Sequence, residues 1–74
     1  MYSPTLSEHQ MLRAIAQGAV AEALLLGNAH AEFHHYRIDA WRTRPFRSRK
    51  ALLSLVVRFD DAVIEDDSIL VEAL

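Results

Sequence analysis

Residues 51–59 read Ala-Leu-Leu-Ser-Leu-Val-Val-Arg-Phe, and the fold turns on whether this stretch is a strand or a helix. Leu53, Leu55, Val57 and Phe59 share one face at a period of two, while Leu52, Leu55, Val56 and Phe59 make an equally good helical stripe. The adjacent valines and the shortness of the run favour a strand. With that choice the chain is expected to be α+β, with one long N-terminal helix packed on a small, mainly antiparallel sheet of about three strands. The opposite choice makes residues 49–59 and 62–74 helical and gives an all-α helical dimer as the alternative.

Outward from this stretch, both flanks support the first choice. From Phe33 the chain alternates, with His34, Tyr36, Ile38 and Ala40 on one side and His35, Arg37, Asp39 and Trp41 on the other, which predicts a strand over about residues 33–42. Pro45 lacks the amide a central strand requires and ends it. On the other flank, Asp60-Asp61 reads as a turn. Two short strands, 62–64 and 68–71, are expected beyond it, separated by Glu65-Asp66-Asp67, with a final helix over 67–74 capped by Asp67 or Ser68 as the alternative.

The N-terminal part has a different period. Residues 1–6 form an irregular lead. Ser7 with Gln10 is a capping-box pattern, and residues 7–26, rich in Ala, Leu, Glu and Gln, form a helix that Gly27-Asn28 stops. At 100° per residue Leu12, Ile15, Ala16, Ala19, Ala23 and Leu26 make its core face. Its back face is nearly as apolar, with Ala14, Gly18, Ala21 and Leu25 in a ridge flanked by Gln10 and Gln17. A helix that is apolar on most sides is normally buried on most sides, and one small sheet covers only one of them. The ridge is therefore the expected dimer interface, packing on a second copy about a two-fold axis. The competing explanation is that alanine, the best helix former, is tolerated where it is exposed.

Length and composition bound the function. Seventy-four residues, 51% of them apolar, with two Gly, two Pro and no Cys, make one small soluble domain held without disulfides or thiolate zinc sites. A domain of this size has a marginal core and gains from a partner chain. The apolar run from Met11 to Leu26 is interrupted by Arg13, Gln17 and Glu22 and is too short to span a bilayer. With no signal sequence, a cytoplasmic location away from membranes is expected.

The net charge of −2 conceals a sorted distribution. Glu8, Glu22 and Glu32 outweigh Arg13 in residues 1–36. Arg37, Arg42, Arg44, Arg47, Arg49 and Lys50 face only Asp39 in residues 37–50, and residues 51–74 carry six acids against Arg58. The basic block is interleaved with Tyr36, Trp41 and Phe46. Arginine presents a planar fork for carboxylate or phosphate, and Arg and Trp are enriched at the energetic centres of interfaces. Trp41, Arg42, Arg44, Phe46, Arg47, Arg49 and Lys50 are thus the candidate partner-binding residues.

The function expected is that of a small non-enzymatic regulatory or adaptor protein, acting as a homodimer that binds another protein with an acidic surface. A nucleic-acid-binding regulator using residues 37–50 is the alternative, against which stands an overall charge far from basic. No catalytic residues are expected: two glycines supply neither a phosphate loop nor a nucleophile elbow, and a pocket of several hundred Å³ is hard to carve from so short a chain. No cofactor or metal is expected either. His30 and His34 share a face but would need further ligands from Glu32, Asp39, His9 or a symmetry mate, and Asp60 to Asp67 lack the spacing of a calcium loop.

Overall fold

The computed structural model describes residues 6–43 and 50–72. A helix α1 (Leu6–Leu26) is followed by four strands, β1 (Asn28–Phe33), β2 (Tyr36–Thr43), β3 (Lys50–Phe59) and β4 (Ala62–Glu72). The strands pair antiparallel in the order β1-β2-β3-β4. The chain is α+β, and the all-α alternative is overturned by β3, which takes up the whole of residues 51–59.

Tight reversals join the elements. Gly27 adopts φ +100, donates its amide to the Ala23 carbonyl at 2.8 Å, and lets β1 begin directly under the helix end. The strand expected over 33–42 is β2, which starts at Tyr36, and an unexpected strand, β1, precedes it. The chain turns at His34, which takes a left-handed φ of 54, and residues 28–33 pair back on β2, with Asn28 opposite Trp41 and Phe33 opposite Tyr36. Alternation continues through the turn, so periodicity could not reveal the break. At the same end of the sheet Asp60 and Asp61, with φ 47 and 70, form the expected turn, both central residues left-handed as in a type I′ hairpin. The Asp60 amide donates to the His35 carbonyl at 3.1 Å, tying the two hairpin turns together.

β4 also departs from expectation. The two short strands, and the alternative helix over 67–74, are replaced by one continuous strand whose acids Glu65, Asp66 and Asp67 pair with Val57, Val56 and Leu55. Ladder hydrogen bonds to β3 on one edge outweigh the low strand propensity of three consecutive acids that remain in water. Pairing passes from Val57–Glu65 to Arg58–Val63, so Ile64 is the extra residue of a bulge.

The core lies between α1 and one face of the sheet. Ala19, Ala23, Ala29, Tyr36, Ile38, Ala40, Leu53 and Val57 form it, with Ala23 and Ile38 fully buried. Small residues on both sides, Ala19 and Ala23 on the helix against Ala29 and Ala40 on the sheet, allow close approach over β1 and β2. Leu12, Ile15 and Ala16 are half-buried as the helical stripe requires, but Leu26, at the tip where the chain reverses, is 72% exposed. Arg42 on β2 donates to the carbonyl of Leu24, and its amide to that of Gly27 at 2.8 Å. A helix whose last turn holds no basic residue thus receives its C-terminal cation from the sheet.

The candidate binding surface

The helix is placed off-centre. It rests on β1, β2 and, to a lesser extent, β3, and its backbone does not approach β4. Beside it a trough of about 660 Å³ runs from His9 to Val20 along α1, floored by Leu55 and Val57 and walled on the far side by Glu65. A smaller hollow bounded by Val20, Leu53, Leu55, Asp67 and Ile69 continues it. A cavity of this size was not expected from so short a chain. It exists because one helix cannot cover four strands.

β4 forms the outer edge of the trough. Val63, Ile64, Ile69 and Leu70 on this strand are 54% to 60% exposed. On the trough side, Glu65 and Asp67 lie two residues apart. The hydrogen bond that protonated Glu65 donates to the Asp67 carboxylate raises the Glu65 carboxyl above its ordinary value of 4.5, with partial burial acting in the same direction and Arg13 opposing.

On the back of α1, Ala14, Gly18, Ala21 and Leu25 are all exposed, and a Cβ added to Gly18 meets nothing within 4 Å. The ridge is open, as the sequence suggested. Sequence reasoning missed the trough. Its only sequence signal was the placing of Leu53, Leu55 and Val57 on one face of β3 when a single helix was available to cover it.

The opposite face of the sheet carries paired polar groups over β1, β2 and β3, beside the aliphatic residues Leu52, Val56 and Leu70. His30 bonds Asp39 at 2.8 Å, Arg58 donates to the other Asp39 oxygen at 3.2 Å, and Arg37 and His30 flank Glu32 at 3.9 Å and 3.5 Å. The Asp39 hydrogen bond is the first cause of a His30 pKa raised above 6.5. Ser54 and Ser68 join hydroxyls at 3.1 Å. Trp41 stands on this face opposite Asn28 and Ser54, 39% exposed.

Among the candidate partner-binding residues, Trp41 is therefore accessible, Arg42 bonds the helix end, and Lys50 begins β3 with its side chain in the exposed class. Arg44, Phe46, Arg47 and Arg49 lie outside the described residues. The histidines do not converge: His30 faces Asp39, His34 sits in the hairpin turn, and His35 bonds Asp60 at 3.1 Å. Among the described residues no group of three or more His, Asp or Glu is placed to hold a metal, and no helix is long and apolar enough to cross a membrane. No family model, curated protein or solved structure matches the chain.

Proposed function

We propose that this chain is a non-enzymatic regulatory or adaptor protein that works by binding another polypeptide on the part of its sheet that α1 leaves open. The observation that carries this reading is the trough itself, floored by Leu55 and Val57 and continued by a hollow where Ile69 is 57% exposed. Apolar surface left open beside a core is a usual mark of an interaction site. Among the described residues, protein is favoured over nucleic acid by the pairing of three arginines. Arg37 and Arg58 meet Glu32 and Asp39, and Arg42 is bonded to the helix end. Phosphate would have to displace these carboxylates.

The test is a photoreactive amino acid placed at Ile69, on the trough, or at His34, in the distant hairpin turn, in cells of the native host. Irradiation should join a polypeptide to the chain at position 69 and none at position 34. Absence of any polypeptide adduct at 69 contradicts the reading, and a nucleic-acid adduct there replaces it with the nucleic-acid alternative.

A further inference from the structure

We draw no further inference here: the strongest candidate, the trough between α1 and β4 over Leu55 and Val57 with Glu65 on its wall, belongs to the binding surface already described, and nothing in the structure shows what covers it.

Discussion

Asp67 of β4 stands directly opposite Leu55 of β3, on the same face of the sheet as the core residues Leu53 and Val57. The core thus ends between β3 and β4, at the limit of the helix, and the next strand outward carries acids where a covered sheet would carry aliphatics. Glu65 and Asp67 keep that margin in water as long as nothing lies over it.

Removing Asp67 changes its neighbour. In Asp67→Ala the Glu65 carboxyl loses the hydrogen bond and the nearby charge that raise it and returns toward 4.5, a shift that a carboxyl-carbon NMR titration reads directly.

The contributions of Glu65 and His30 to stability should rise toward acid. The carboxyl of Glu65 is raised from 4.5 and His30 from 6.5, so in each case the folded chain holds its proton more firmly than the unfolded chain. The Glu65 contribution is fully present below about pH 4.5 and fades as pH climbs through its raised value, and the His30 contribution is full below about 6.5 and fades in the same way above it. The difference in Tm between wild type and His30→Gln should therefore be larger at pH 6 than at pH 8.

Ile38 is fully buried at the centre of the core, on a strand flanked by β1 and β3. Ile38→Ala should cost about 2–5 kcal/mol, and Ile38→Val about 0.5–1.5 kcal/mol, in urea denaturation.

The β3–β4 turn should be improvable at one of its two positions. Asp61 has φ 70, where a side chain costs about 1–2 kcal/mol that glycine avoids, less the entropy glycine loses on folding. Asp61→Gly is expected to raise the urea midpoint, whereas Asp60→Gly also forfeits the 3.1 Å contact with His35 and should gain less.

Charge placed beside the trough should weaken binding of the partner polypeptide without unfolding the chain. Ile69→Lys replaces a side chain that is 57% exposed and should lower the affinity for that polypeptide at least about tenfold, a change of roughly 1.4 kcal/mol, with an unchanged circular dichroism spectrum.

Much of the architecture was legible in the residues. The long helix declares itself through composition and the Gly27 stop, and β3 through its paired valines. The break at His34 was hidden because a turn of two polar residues preserves the alternation of the strands around it. The continuity of β4 was hidden because Glu65-Asp66-Asp67 reads as a loop until the pairing partners Val56 and Leu55 are known. The open ridge at Ala14, Gly18 and Ala21 was readable from helical spacing, but the trough of the proposed binding surface was not. It depends on how far α1 reaches across the sheet, which is set by the close alanine packing over β1 and β2.

The account's central claim is that the open half of the sheet binds another polypeptide, and photo-cross-linking from position 69 in cells of the native host tests it most directly. A polypeptide joined at position 69, with none joined at position 34, is the predicted result. Absence of any polypeptide adduct at position 69 would contradict it.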